Sequence, residues 1–248
     1  MSEMHQRTLA GLATAAATAD SGLDGLRQVR VPLVPEIRLH LAADAIVLWA
    51  RMEAEVGVKL ASPFWASAWL GGQALARYVL DHREIVAGRR VLDLAAGSGL
   101  VGIAASLAGA AAVTANDIDP YARAAIEMNA RANAVEIAVS CDNMLEAGGG
   151  EDADIVLAGD VFYSRSMARA VLRFLEGASA RGAQVLIGDP GRAHLPGGRL
   201  RTVATYSVTD AAPLADAELE HVCVLRLIDK TTNSGRPSRR PRPVLLTI

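Results

Sequence analysis

The stretch Val91-Leu92-Asp93-Leu94-Ala95-Ala96-Gly97-Ser98-Gly99-Leu100-Val101-Gly102 decides how this chain folds. Val91 to Leu94 read as a short buried strand, Gly97-Ser98-Gly99 as a tight turn, and Leu100 as the opening of a helix. Glycine suits such a turn because the backbone must bend sharply and approach a ligand with no side chain in the way. A second apolar run, Ala112 to Asn116, predicts the next strand and ends at Asp117. An acid there is placed to accept from both hydroxyls of a ribose. Together these residues describe a pocket for an adenosine-type cofactor at the carboxyl ends of parallel strands.

Two cofactors compete for this pattern. Gly97, Gly99 and Gly102 satisfy the G-x-G-x-x-G spacing of dinucleotide sites, but in a chain with 22 glycines that spacing is weak evidence. Asp93 separates the readings. A dinucleotide leaves the helix amino end open for its pyrophosphate, and a carboxylate there would repel it. S-adenosylmethionine has no phosphate and carries an ammonium and a sulfonium, which a carboxylate favours. Asp93 therefore shifts the reading to S-adenosylmethionine, with a nicotinamide cofactor as the alternative and an acid that merely caps the loop as the third.

Outward from this point, strand patterns at 91–94, 112–116, 135–140, 154–158 and 184–187 alternate with helical patterns at 100–107, 120–132 and 166–176. Two further strand patterns, 202–208 and 221–227, suggest a terminal antiparallel pair. The alternation predicts an α/β fold with a doubly wound, Rossmann-like, mostly parallel seven-stranded sheet. Residues 1–30 read as an N-terminal extension and 31–88 as a helical N-terminal segment packing on the core. Within that segment, helical patterns at 42–56 and 73–82 are separated by Ser62-Pro63. The main domain is expected over 89–229. Residues 230–248 read as a basic, disordered tail, with Arg236, Arg239, Arg240 and Arg242 set among Ser and Pro.

The net charge of −2 over 248 residues gives no global electrostatic case for nucleic acid. No apolar run is long enough to span a bilayer. Cys141 and Cys223 have no C-x-x-C spacing, and the five histidines show no metal-ligand spacing, so neither a metal site nor a disulfide framework is suggested. Both cysteines read as small buried residues near strands, and the expected compartment is the cytoplasm.

The chain resembles the seven-strand, class I methyltransferases and, more narrowly, the lysine methyltransferases of the electron transfer flavoprotein beta subunit. The resemblance rests on Val34-Pro35-Glu36-Ile37-Arg38-Leu39, Pro63-Phe64-Trp65-Ala66 and Trp69-Leu70-Gly71-Gly72-Gln73, together with the glycine loop. Ala115-Asn116-Asp117-Ile118-Asp119-Pro120, Gly159-Asp160-Val161-Phe162-Tyr163 and Ile187-Gly188-Asp189-Pro190-Gly191-Arg192 complete it. Leu70, where a proline is common, and Leu225, where a tryptophan is expected, depart from the family pattern. The resemblance implies that Asp93 and the backbone at Gly97 and Gly99 hold the methionine portion of S-adenosylmethionine. It implies that Asp117 takes the ribose, Asp142 or Asn143 the adenine amino group, and that Trp69 lies against the cofactor.

By the same resemblance, Asp160 orients a lysine amine and receives a proton, and Tyr163 walls the channel. The other reading of Asp160 is an acid capping the helix that follows it. Asp189 to Arg192 shape the substrate mouth or form a plain turn, and Trp49 and Trp65 read as core. The implied partner is a protein substrate, the flavoprotein beta subunit. A ribosomal protein substrate and a methyltransferase-like binding module without turnover remain alternatives. Val161 stands where nucleic acid amino-methyltransferases carry a proline, which weighs against a nucleic acid substrate.

Overall fold

The computed structural model describes residues 25–208 and 220–228. Of the expected extension over 1–30, residues 1–24 lie outside the described residues, as does the basic tail over 230–248, while residues 26–30 are part of a strand and not a loose extension. Strands β1 (Leu26–Val31) and β2 (Val34–Ala42) form an antiparallel hairpin. Helices α1 (Ala45–Val56) and α2 (Leu70–Asp81) follow, separated by a single 3-10 turn at Phe64–Ala66. Then come β3 (Arg90–Leu94), α3 (Leu100–Leu107), β4 (Ala112–Asn116), α4 (Pro120–Ala132) and β5 (Ala138–Ser140). The chain continues with α5 (Met144–Ala147), β6 (Ile155–Gly159), α6 (Arg165–Ala180), β7 (Gln184–Asp189), β8 (Leu200–Ser207) and β9 (His221–Leu227).

Seven strands form one sheet in the order β5-β4-β3-β6-β7-β9-β8, which is the predicted doubly wound arrangement. The pairings from β5 to β7 are parallel, and β9 joins β7 and β8 antiparallel. The chain order reverses between β3 and β6, and such a switch point opens a crevice at the carboxyl ends of the strands. Each strand feeds a layer on both faces. Val91 packs with Leu75, Val79 and Ile103 on one side, while Leu92 and Leu94 pack with Phe162, Val171 and Leu175 on the other. Burying each such side chain contributes about 1.5–3 kcal/mol.

The N-terminal segment differs from the helical expectation over 31–88. It opens on the hairpin, because Ile37, Leu39 and Leu41 turn one face of β2 to the core at strand periodicity, not helical periodicity, with Val34 buried at the turn. The hairpin is tied to α4 by two asparagines. Arg38 N–H donates to Asn133 Oδ1 at 2.9 Å and His40 N–H to Asn129 Oδ1 at 2.7 Å. Asn129 Nδ2 in turn donates to the carbonyl of Ser98 in the glycine loop at 2.9 Å. β5 is shorter than expected because α4 ends through Ala134 in the left-handed region, φ +54°, which leaves Val135 and Ile137 packed as loop. Cys141 and Cys223 are free and half-buried.

Candidate active site

At the end of β3, Asp93 is buried, and its Oδ2 accepts from the N–H of Gly102 at 2.7 Å. Gly102 is the third residue of α3, so the carboxylate occupies the helix amino end that a pyrophosphate would need. The fit is tight for a side chain there, since a Cβ on Gly102 would sit 3.2 Å from that same oxygen and 3.3 Å from Val113 Cγ1. Burial pushes the Asp93 carboxyl up to about 7; the Gly102 hydrogen bond opposes this and the nearby Asp117 charge adds to it.

The loop leaves the sheet through Ala95, Gly97 and Gly99, all at positive φ. Gly97 N–H donates to Asp117 Oδ2 at 2.9 Å, and Asp119 N–H donates to Asp117 Oδ1 at 3.0 Å. Burial raises the Asp117 carboxyl above the usual range, against the pull of these two hydrogen bonds.

One cavity of about 530 Å³ joins these groups. Trp69, Asp93, Gly97, Asp117, Asn143, Asp160 and Tyr163 all line it, as do Phe64, Trp65, Ile118 and Arg192. Gly99 and Asp142 do not. Gly99 serves the turn and packs on Ile126. The Asp142 carboxylate accepts from Ser140 Oγ at 2.9 Å, and its backbone carbonyl accepts from Asn116 Nδ2 at 2.9 Å. Of the two candidates for the adenine amino group, Asn143 alone reaches the cavity wall. Trp65 is both core and wall: it is fully buried against Ala122 and Ala125 and also borders the cavity. Trp49, with its indole N–H on the carbonyl of Leu60, does not line it.

At the end of β6, Asp160 holds a left-handed backbone, φ +55°, rare for a residue other than glycine and a form of local strain. It does not cap α6, whose cap is Ser164 Oγ accepting from Met167 N–H at 3.2 Å. Instead, Asp160 Oδ2 accepts from Gly72 N–H in the first turn of α2 at 3.0 Å. Its Oδ1 accepts from Arg192 Nη2 at 2.6 Å and Nε at 3.2 Å. Burial pushes the Asp160 carboxyl up to about 6, and the Arg192 charge is the main opposing influence.

Arg192 is itself held. Asp189 Oδ1 accepts from the N–H groups of Gly191 and Arg192, both at 2.7 Å, and the guanidinium stacks 5.5 Å from the Trp69 ring centroid. Trp69 donates its indole N–H to the carbonyl of Phe64 at 2.9 Å. Phe64 bridges the rings of Trp69 and Tyr163, at 5.9 and 5.6 Å between centroids. Tyr163 keeps half its surface exposed, and its hydroxyl is pushed above the usual range by burial and by the Asp117 charge.

This arrangement depends on glycines that the sequence presents far apart. A Cβ on Gly71 would lie 2.7 Å from the carbonyl carbon of Gly188, and one on Gly159 would lie 2.8 Å from Cα of Gly72. The amino end of α2 thus crosses β6 and β7 backbone to backbone, close enough for Gly72 N–H to reach Asp160. Phe64 is the residue missed as a site member, while Arg192, expected at the substrate mouth or in a plain turn, is found paired with Asp160. The one signal for Phe64 was its place beside Trp65; nothing local showed that Arg192 would meet Asp160.

The site fits S-adenosylmethionine. Asp93 is a buried acid and Asp117 a half-buried one, and no cation acts on either among the described residues. A cationic, phosphate-free ligand satisfies them, whereas a dinucleotide would set a phosphate against Asp93.

The chain is similar to known methyltransferases. The family model of ribosomal protein L11 methyltransferase (PrmA) matches residues 73–175. The electron transfer flavoprotein beta subunit lysine methyltransferase of Xenopus laevis is 40% identical over 186 residues, covering 73% of this chain and 74% of that protein. Its counterpart from Danio rerio is 43% identical over 172 residues, covering 68% of this chain and 65% of its own length. The solved structure of a candidate S-adenosylmethionine-dependent methyltransferase from Streptococcus mutans matches with a TM-score of 0.51. At 11% identity, over 84% of this chain and 56% of that one, it speaks for the fold alone.

Proposed function

The chain belongs to the electron transfer flavoprotein beta subunit lysine methyltransferase family, and we propose that it is an S-adenosylmethionine-dependent protein-lysine N-methyltransferase acting on that flavoprotein subunit. The observation that carries the reading is a single cavity lined by Asp93 and Asp117 together with Asp160, Tyr163 and Trp69. When bound, S-adenosylmethionine supplies an electrophilic methyl group, to which an amine lone pair bonds as the carbon–sulfur bond breaks with its electrons leaving on sulfur.

The chain's own residues do the rest. Asp93 offers its carboxylate to the cationic methionine portion, and Asp117 accepts from the ribose hydroxyls through lone pairs not used by Gly97 and Asp119. Asn143 offers an amide to the adenine edge. Phe64, Trp69 and Tyr163 wall the path of a lysine side chain, whose aliphatic stem packs on rings while its nitrogen meets Asp160. Asp160 orients that nitrogen and takes up a proton, and orientation is the larger contribution. Two unpaired cysteines suit a reducing, cytoplasmic setting for the reaction.

The test is methyl transfer from methyl-tritiated S-adenosylmethionine to purified flavoprotein beta subunit, with the modified residues read by mass spectrometry. Methyl groups on lysine, lost with Asp160→Ala, support the reading. The PrmA family match makes ribosomal protein L11 the second substrate to offer. Label there and not on the flavoprotein would replace the substrate and keep the chemistry. Cofactor binding without label on either would leave a binding module.

A further inference from the structure

A carboxylate beside a lysine favours the ammonium, yet only the neutral amine has a lone pair to donate. Asp160 taken alone therefore works against the reaction proposed above. Arg192 changes this balance. Its guanidinium gives two hydrogen bonds to Asp160 Oδ1, lies over Trp69, and is only about a fifth exposed. Its backbone is fixed by Asp189, so this is a built element and not a mobile surface arm. With Gly72 on Oδ2, three donors already serve the carboxylate, and little of it remains to bind an ammonium.

The charged groups around the pair come from every neighbouring element. Asp189 at the end of β7 adds negative charge beside Asp160, and Asp93, Asp117 and Asp119 line the same cavity from the ends of β3 and β4 and the cap of α4. Tyr163 stands on the β6 side, and the first turn of α2 brings only the Gly72 N–H. Arg192 is the only cationic side chain among the described residues on that cavity wall. Without it, Asp160 and the other acids of that wall would hold an entering lysine as its ammonium.

We infer that Arg192 is a positioning residue that keeps Asp160 ionised and, as a fixed positive charge on the cavity wall, admits the substrate lysine as its neutral amine. This rests on the lysine reading above. The lysine leaves its extra proton with water on entry, and its lone pair is then free to attack. The lone pair left on Asp160 Oδ2 can take up the proton shed by the methylated product.

The experiment compares the full chain with Arg192→Gln, which removes the charge, and Arg192→Lys, which keeps it but loses the bidentate fork. Two readouts are needed. The first is carboxyl-13C NMR titration of the chain without substrate, with Asp160 assigned by Asp160→Asn. The Asp160 midpoint should rise by about one pH unit or more in Arg192→Gln and hold in Arg192→Lys. The second is the pH dependence of lysine methylation.

In Arg192→Gln the rising limb should move about one pH unit toward alkali, lowering the rate at neutral pH about tenfold and recovering it at high pH. Affinity for S-adenosylhomocysteine should be unchanged. Arg192→Lys should keep the position of the limb at reduced amplitude. A rate loss uniform across pH, or an unmoved Asp160 midpoint, overturns the inference. A wild-type chain that binds cofactor but methylates no lysine overturns the lysine reading and the amine half of this one. The carboxyl titration then still decides whether Arg192 keeps Asp160 ionised.

Discussion

Raising the pH through 7 should weaken the ligand-free fold and strengthen cofactor binding, both through Asp93. Its carboxyl titrates near 3.8 when the chain is unfolded and is pushed up to about 7 when folded. Between those values the folded chain holds a proton that the unfolded chain releases. The stability so contributed is complete below the unfolded value and is lost as pH rises through the folded one. Because Asp93 is buried, solvent screening discounts this little, and the span corresponds to a ceiling of about 4 kcal/mol.

A cationic ligand reverses the preference by favouring the ionised carboxylate. S-adenosylmethionine binding should therefore expel a proton below pH 7, with affinity rising up to about tenfold per pH unit toward 7 and levelling above it. Calorimetry in two buffers of different ionisation enthalpy reads the proton directly, at about pH 6 and about pH 8, and thermal unfolding across the same range reads the stability. Asp93→Asn, which cannot ionise, supplies the baseline for protons released by the ligand and by other groups. If affinity and buffer heat show the same pH dependence in the wild type and Asp93→Asn, the electrostatic account of Asp93 is refuted.

The other predictions concern neighbouring contacts. Asp117→Ala removes the ribose acceptor and should weaken cofactor binding by about 1–3 kcal/mol in calorimetry; unchanged affinity would remove Asp117 from the site. Asp160→Ala should leave cofactor affinity near wild type while depressing turnover, and equal loss of both would make the residue structural. Gly188→Ala drives a Cβ to 2.6 Å from the carbonyl carbon of Gly71. It should cost about 1–3 kcal/mol or more in denaturant unfolding, with loss of turnover as α2 is pushed off β7. A stable, active Gly188→Ala chain would show that the backbone crossing is not what holds Gly72 against Asp160.

Much of the frame was readable from local sequence. The ends of α3, β4 and α4 fall at the expected residues, because periodicity, the turn glycines and Asp119-Pro120 act within a few positions of each other. Asp93 and Asp117 were legible for the same reason: one lies next to last in a recognisable strand pattern and the other just after one, and parallel strands deliver their carboxyl ends to one edge of the sheet. The chemistry at Asp160 was not legible locally. Its partners lie 88 residues back at Gly72 and 32 residues on at Arg192. Which of them it meets depends on β6 standing between β3 and β7, and on bare glycine backbones letting α2 cross the sheet. Sequence alone determined where strands end in acids beside glycine turns, since that is short-range conformational preference. Only the tertiary structure decided which helix Asp160 serves and which charge faces it, since strand order and close packing set contacts that no local preference encodes.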